Sequence, residues 1–199
     1  MKKIFLSIVL CGMLLSASAQ ERISLNWLMH QPLGSTADYI GTFNVRGFDF
    51  QYRYLVNPNI GVGFDVGFNA WYEKQEAQTY VLTDATTVNA TFYNYINTWN
   101  LHAAGDYYFG SSSAKVQPSA GLALGVSSVS LETQVVDYIL TDYNNWPFSI
   151  SPNVGVAIAI PGSGAAFNLN AFYTFTTYDY KQIINNLNYV GFRVGITWL

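Results

Sequence analysis

The last eleven residues of the chain, 189–199, alternate between two kinds of side chain with a period of two. One face is large and apolar and the other is small or polar: Val190, Phe192, Val194, Ile196 and Trp198 against Gly191, Arg193, Gly195 and Thr197. Successive side chains of a β-strand point to opposite faces. The segment therefore predicts a strand with an apolar environment on one face and a polar environment on the other. Its length is that which a tilted strand needs to cross a bilayer.

The same alternation recurs in seven earlier segments, which predicts eight strands in all. These segments are 22–30, 47–54, 60–69, 98–109, 116–126, 148–160 and 167–176. Short connections rich in turn formers lie at 57–59, 110–114 and 161–164, and longer ones lie at 31–42, 73–91, 128–147 and 177–187. An even number of strands puts both termini and the three short turns on one side. The pattern predicts an all-β, antiparallel up-and-down barrel with four long loops on the other side.

The composition of the polar faces indicates which side of the barrel meets lipid. A water-facing surface carries many lysines and glutamates, whereas these faces carry no lysine and consist mainly of Gly, Ser, Asn, Thr and Gln. Charged residues are 11% of the chain, against about a quarter in soluble domains. A soluble ligand-carrying barrel or a sandwich is the alternative. The missing charge favours a membrane-spanning barrel with its polar face inward and its apolar face in lipid.

The N-terminus has the features of an export signal. Two lysines precede an apolar run at 4–15, and small residues follow at 17–19. This arrangement predicts a signal peptide over 1–19 and a mature outer-membrane barrel domain over 20–199. The single cysteine, Cys11, lies inside the signal, so the mature chain has no disulfide and no thiolate metal site.

The terminal strand also carries a resemblance to a known family. With Gly191 inward and Phe192, Val194, Ile196 and Trp198 outward, it resembles the C-terminal signal read by the outer-membrane assembly machinery, although it ends on Leu199 rather than on an aromatic residue. The whole mature chain resembles the small eight-stranded outer-membrane barrels of Gram-negative bacteria, such as the OmpA transmembrane domain, OmpX and the OmpW-like group. This resemblance implies location in the cell outer membrane, with membrane lipid, lipopolysaccharide and the assembly machinery as partners.

Seven ionisable residues fall on the predicted inward faces. They are Arg22, Asp49, Arg53, Asp65, His102, Asp106 and Arg193. An unpaired charge in a low-dielectric interior costs several kcal/mol, so three arginines and three aspartates predict a mutually neutralised ladder. The ladder is either a salt-bridged plug that holds the barrel or the lining of a gated, selective pore. We favour the plug, because eight strands enclose little more than side chains.

Other chemistries lack a basis in the sequence. The mature chain has seven basic and twelve acidic side chains, and no basic stripe exists to bind nucleic acid. Neither His30 nor His102 has a serine in a His-x-Ser arrangement, and no metal spacing, phosphate loop or carboxylate dyad occurs. We therefore predict that the protein is not an enzyme and has no cofactor.

The long loops are acidic and rich in tyrosine, which makes them candidates for binding a protein or a glycan. The residues concerned are Asp38, Glu73, Glu76, Asp84, Glu132, Asp137, Asp142 and Asp179, the two lysines Lys74 and Lys181, and the aromatics Tyr39, Tyr80, Tyr138, Tyr143, Trp146, Tyr178 and Tyr180. The leading hypothesis is a structural or adhesive outer-membrane protein with a polar, plugged interior and loops as its contact surface. A narrow porin-like channel for ions or small solutes and an accessory factor in secretion or envelope assembly are the alternatives.

Overall fold

In the computed structural model the chain is an antiparallel β-barrel with one short helix. The structure describes residues 21–83, 86–111, 114–135, 138–179 and 184–198; the predicted signal peptide, Gln20 and Leu199 lie outside them. The elements are β1 (Glu21–Leu33), α1 (Ser35–Tyr39), β2 (Asn44–Asn57), β3 (Ile60–Thr83), β4 (Thr86–Tyr108), β5 (Val116–Val135), β6 (Tyr138–Asn145), β7 (Phe148–Ala159), β8 (Ala165–Thr176) and β9 (Leu187–Trp198). Among the described residues, no helix is long and apolar enough to cross a membrane.

The predicted eight-stranded barrel is confirmed. Strands β6 and β7 are separated by Trp146 and Pro147, but both pair with β5, so together they form one position in the wall. The barrel closes where β1 pairs with β9, from Ile23 opposite Trp198 to Leu33 opposite Asn188. Closure leaves no sheet edge in the barrel wall, as a lipid environment requires.

The apolar face points outward, and aromatic residues lie near both rims of the wall. Those near the long hairpins include Trp27, Phe48, Trp99, Trp146 and Phe148, and those near the short turns include Tyr54, Tyr107, Phe109 and Trp198; all are exposed. Aromatic girdles at both interfaces with aliphatic residues between them are typical of a lipid-facing surface. We call the two ends of the barrel the hairpin end and the turn end.

Two segments predicted as long loops are mostly strands. β3 and β4 stay paired from Ile60 opposite Tyr107 to Thr83 opposite Thr86, and β5 and β6 extend beside them. The described parts of 73–91 and 128–147 therefore belong mainly to a four-stranded sheet that projects from the hairpin end. Eleven residues of β3, Glu73–Thr83, correspond to about 35 Å of strand. Sequence alternation misses this extension because neither face of it lies in lipid, so polar residues occur on both.

The interior is polar toward the turn end and apolar toward the hairpin end. The second part departs from the prediction of a polar lumen. Its buried residues are Leu28, Ile40, Trp71, Ile96, Val129, Leu131, Phe172, Tyr178, Ile184, Leu187 and Tyr189. Most of them come from segments that the sequence assigned to loops or to strand ends, where the alternation is weakest.

Candidate functional site: the lumen and its cap

The centre of the polar half is Arg53, which links three neighbouring strands. Its Nη1 lies 2.6 Å from Asp65 Oδ1 on β3, and its Nε lies 2.5 Å from Asp106 Oδ2 on β4. Arg53 and Asp65 are both buried. The neighbouring Gly121 makes room for this arrangement, because a Cβ there would lie 1.6 Å from Asp106 Oδ1.

A second ion pair joins β9 and β2 across the inner face of β1, the strand between them. Arg193 Nε on β9 lies 2.7 Å from Asp49 Oδ2 on β2, and Asn26 Nδ2 on β1 donates to Asp49 Oδ1 at 2.8 Å. Arg193 Nη1 also donates to Asn170 at 3.1 Å, and the guanidinium lies 4.2 Å from the ring centroid of Phe172. Arg193 therefore connects β9 with β8 and β2, and Asn26 joins β1 to the same carboxylate.

Arg22 lies nearest the turn end and uses an aromatic partner. Its guanidinium carbon is 4.1 Å from the ring centroid of Tyr108. Beside it is a polar cavity of about 30 Å³ lined by Ser24, Gln51, Asp106 and further side chains. A space of this size holds about one water molecule and is far too small for a solute path.

His102 forms a hydrogen-bonded pair with Ser149 that the sequence did not predict. Its Nε2 lies 2.6 Å from the hydroxyl of Ser149, which is 47 residues away, and Ser127 donates to the same hydroxyl at 2.9 Å. A nucleophile–base pair has this geometry. However, Ser149 is fully buried, so substrate has no access to Oγ in this conformation. The contact serves to join β4, β5 and β7 inside the lumen.

Closer to the hairpin end than these ion pairs, aromatic rings fill the lumen. Trp71 packs against His30 and Tyr189, with ring centroids 4.6 and 5.1 Å apart, and Tyr189 meets Phe172 edge-on at 6.0 Å. The Tyr189 hydroxyl accepts hydrogen bonds from Asn69 at 3.3 Å and Asn100 at 3.1 Å. Tyr189 thus joins the apolar half of the interior to the polar half.

The short helix α1 closes the mouth at the hairpin end. The Thr36 hydroxyl donates to Asn186 O at 3.0 Å and accepts from Asn188 N at 2.9 Å, which fastens α1 to the start of β9. On the opposite side, the Tyr39 hydroxyl lies 2.5 Å from the hydroxyl of Thr133 on β5. The helix therefore spans the opening from β9 to β5.

The carboxylate of Glu73 holds the segment that follows α1. Its Oε2 accepts from Gly41 N at 2.6 Å, Thr42 N at 3.1 Å and the Thr42 hydroxyl at 3.1 Å. The sequence predicts Glu73 to be a ligand-binding loop residue, whereas in the structure its carboxylate binds the chain's own residues 41–42. We call α1, residues 41–42 and Glu73 the cap.

The predicted loop residues fall into two groups. Asp84, Asp137, Tyr180 and Lys181 lie outside the described residues, as do the side chains of Tyr80, Tyr138, Asp142 and Tyr143. Of the remainder, Asp38, Glu76, Trp146 and Asp179 are exposed at the hairpin end. Within the described part of the chain, no group of three or more His, Cys, Asp or Glu side chains could hold a metal ion.

The fold is shared with solved outer-membrane proteins. Neisserial surface protein A is 13% identical over 91% of this chain and 98% of its own, with a TM-score of 0.58. Ail, the attachment invasion locus protein of Yersinia pestis, solved with the heparin analogue sucrose octasulfate, is 11% identical over 90% and 97%, with a TM-score of 0.52. The outer membrane protease OmpT of Escherichia coli is 10% identical over 92% and 97%, with a TM-score of 0.51.

At these identities the likeness shows the fold alone. No protein-family model matches the sequence, and no curated protein does so. The architecture of a small outer-membrane barrel, which the terminal strand led us to expect, is confirmed.

Proposed function

We propose that this chain is a structural or adhesive protein of the outer membrane, and that it acts through the sheet at its hairpin end. The observation that carries the proposal is a contrast within one molecule. The lumen is filled by ion pairs, aromatic rings and the cap, whereas β3, β4, β5 and β6 continue far beyond the aromatic girdle. A barrel of this kind presents a binding surface and does not provide a path for solutes. The hairpin end is then extracellular and the turn end periplasmic.

The filled lumen argues against steady conduction. An ion moving along the axis has to displace Arg53 from Asp65, which is buried, and from Asp106, which is partly buried. Removing one member of a buried ion pair costs about 3–5 kcal/mol. The same ion then reaches the rings of Trp71 and Tyr189, which do not replace the water molecules of its hydration shell.

The projecting sheet has the properties of a contact surface. Beyond Asn69, the described part of β3 pairs with β4 on one side and has no strand on the other, and β6 is the last strand of the sheet. Unpaired strand edges offer backbone donors and acceptors to another chain. Ail, which shares the fold, was solved with a sulfated sugar bound, which supports a glycan as one class of partner.

Conductance in planar bilayers tests the closed lumen. Wild-type protein refolded in detergent is expected to insert without steady single-channel current. Steady current in the wild type that changes with Arg53→Ala or Asp65→Ala would establish the narrow-channel alternative and overturn our proposal.

A shortened hairpin tests the contact surface. Residues 76–91 are replaced by Asn-Gly, which joins the paired residues Gln75 and Phe92 through a two-residue turn. The matched control replaces 161–164 at the turn end by the same dipeptide. On a glycan array, wild type and control are expected to bind and the shortened variant to lose binding. Equal signals from all three proteins, or none from the wild type, would exclude the sheet as a glycan-binding surface.

A further inference from the structure

The described basic side chains are unevenly distributed over the molecule. Arg22, Arg53 and Arg193 are buried in the lumen, and Lys115 lies next to the turn between β4 and β5, at the turn end. Among the described residues, this leaves Arg46 and Lys74 as the basic side chains exposed at the hairpin end. Arg46 lies on β2 at the hairpin end of the wall, and Lys74 lies on the neighbouring β3, where the projecting sheet begins.

Three tyrosines on β3 and β4 lie beside these two cations. Tyr72 stacks on Tyr93 with ring centroids 6.3 Å apart and contacts Tyr95 at 5.1 Å. The Arg46 guanidinium carbon is 5.7 Å from the Tyr72 ring centroid, and Lys74 is directly opposite Tyr93 in the β3–β4 register. We call these five residues the tyrosine–cation patch.

The patch faces away from the lumen. Along β3, Trp71 is buried in the interior, so the next side chain, Tyr72, points outward, and Lys74 shares its face. Along β4, Asn94 and Ile96 are buried in the interior, which places Tyr93 and Tyr95 on the outer face. The tyrosines are half-buried against one another, and Arg46 and Lys74 are exposed.

The patch begins where the lipid-facing girdle ends. Phe48, Phe68 and Trp99 form an aromatic cluster, with centroid distances from 4.9 to 6.1 Å. Arg46 precedes Phe48 by two residues on β2, which is about 7 Å along the strand toward the hairpin end. The patch therefore lies at the depth at which the acyl chains of a bilayer give way to headgroups.

We infer that the tyrosine–cation patch binds the phosphorylated sugar headgroup of the outer-leaflet glycolipid, lipid A. A guanidinium binds phosphate through paired hydrogen bonds, and an ammonium adds a second positive charge. Tyrosine presents an apolar ring face to a sugar and a hydroxyl to water. This inference rests on the proposed outer-membrane location and adds a specific lipid site to the wall.

Neighbouring carboxylates limit the patch to β2, β3 and β4. Glu73 is turned to the cap, where its Oε2 accepts hydrogen bonds from Gly41 and Thr42. Glu132 is opposite Tyr95 on β5, and Gln134 donates to its carboxylate. A phosphate is therefore attracted to the Arg46 side of the tyrosines and repelled from the Glu132 side.

Binding of purified lipid A to the refolded protein in detergent tests the site. The variants are Arg46→Ala/Lys74→Ala and Tyr72→Ala, and the matched control is Lys115→Ala, which removes an exposed lysine from the opposite end. Heat-modifiable migration in gels verifies that each variant is a folded barrel. Bisphosphorylated lipid A, the same lipid after dephosphorylation, and water-soluble sucrose octasulfate are titrated separately.

The double variant is expected to bind bisphosphorylated lipid A at least about tenfold more weakly than wild type, as loss of a charge-assisted contact predicts. Tyr72→Ala is expected to weaken it by a smaller factor and Lys115→Ala to leave it unchanged. Equal binding of phosphorylated and dephosphorylated lipid, or equal loss in Lys115→Ala, would overturn the site. So would binding of sucrose octasulfate as tight as that of the lipid. None of these outcomes affects the conductance and hairpin experiments, which test the proposed function separately.

Discussion

The two halves of the lumen are built on the same inward side of the same strands, yet they are filled by opposite means. Toward the turn end, Arg53 and Arg193 hold carboxylates from different strands at 2.5–2.7 Å. Toward the hairpin end, Trp71, Tyr189 and their neighbours pack without charge. Ion pairs are directional and fix which strands face one another, whereas apolar packing excludes water over a wide opening. The barrel uses the first to hold its wall and the second, with the cap, to close its mouth.

The largest loss of stability is expected for Arg53→Ala. The change leaves Asp65 and Asp106 in the lumen without their shared cation, and breaking a buried pair in this way costs about 3–5 kcal/mol. Urea unfolding in lipid vesicles, followed by tryptophan fluorescence, measures the free energy of unfolding. Arg46→Ala, an exposed arginine, is the control and is expected to change it by less than about 0.5 kcal/mol. A similar small change in Arg53→Ala would show that the ion pairs do not hold the wall.

Trp71→Ala tests the apolar half. Removing a fully buried tryptophan costs about 3 kcal/mol or more through lost burial and the cavity left behind. Unlike Arg53→Ala, it is expected to open the hairpin end while the ion pairs below stay intact. Because the ion pairs still block the lumen, Trp71→Ala is expected to lower the free energy of unfolding without producing steady current in planar bilayers. Current in Trp71→Ala and none in Trp71→Phe would instead show that the apolar half is what seals the lumen. A silent but destabilised Trp71→Ala barrel would mean that the polar half alone blocks the lumen.

A smaller effect is expected from Gly121→Ala. The added Cβ overlaps Asp106 Oδ1, so the carboxylate has to move away from Arg53; overpacking of this kind costs about 1–3 kcal/mol. Gly105→Ala is a matched control, because a Cβ there meets only Gly61 O, at 3.9 Å. The same urea experiment compares the two variants. Equal stability of both would contradict the tight packing of the polar half.

The smallest effect on global stability is expected from Glu73→Ala. It removes three hydrogen bonds near the surface, where water replaces the lost partners, so the net cost is about 1 kcal/mol. The local effect is larger, because residues 41–42 lose their attachment to β3. Limited proteolysis is expected to cleave the segment 34–43 faster in Glu73→Ala than in wild type. Cleavage at the wild-type rate would show that Thr36 and Tyr39 hold the cap by themselves.

The strands of the wall were predictable because each separates lipid from a polar interior. Phe192 and Trp198 face outward and Gly191 and Arg193 inward, as the alternation around them requires. The inward positions of Arg53, Asp65, Asp106 and the other interior charges follow from the same parity. Their pairing across strands does not, since it depends on the register of β2, β3 and β4.

The cap and the projecting sheet were missed for a different reason. Ile40 belongs to the connection between β1 and β2, and Tyr178 and Ile184 belong to the connection between β8 and β9. Neither connection has a periodic pattern, and these residues become buried only where the two connections meet at the mouth. His102 and Ser149 are likewise brought together by β4 and β7 lying on either side of β5. The local sequence pattern does not predict such contacts, because they join residues that are distant along the chain.

The sequence by itself determined the number of strands, the side of each that faces lipid and the polar character of the lumen toward the turn end. Each of these depends on one strand and its two surroundings, which side-chain alternation records directly. The tertiary structure alone decided how the interior charges pair, how the mouth is closed and where Arg46 and Lys74 meet three tyrosines. The contacts among β2, β3 and β4 depend on the register of those strands. The Arg193–Asp49 pair and the closed mouth also require that β9 lies beside β1.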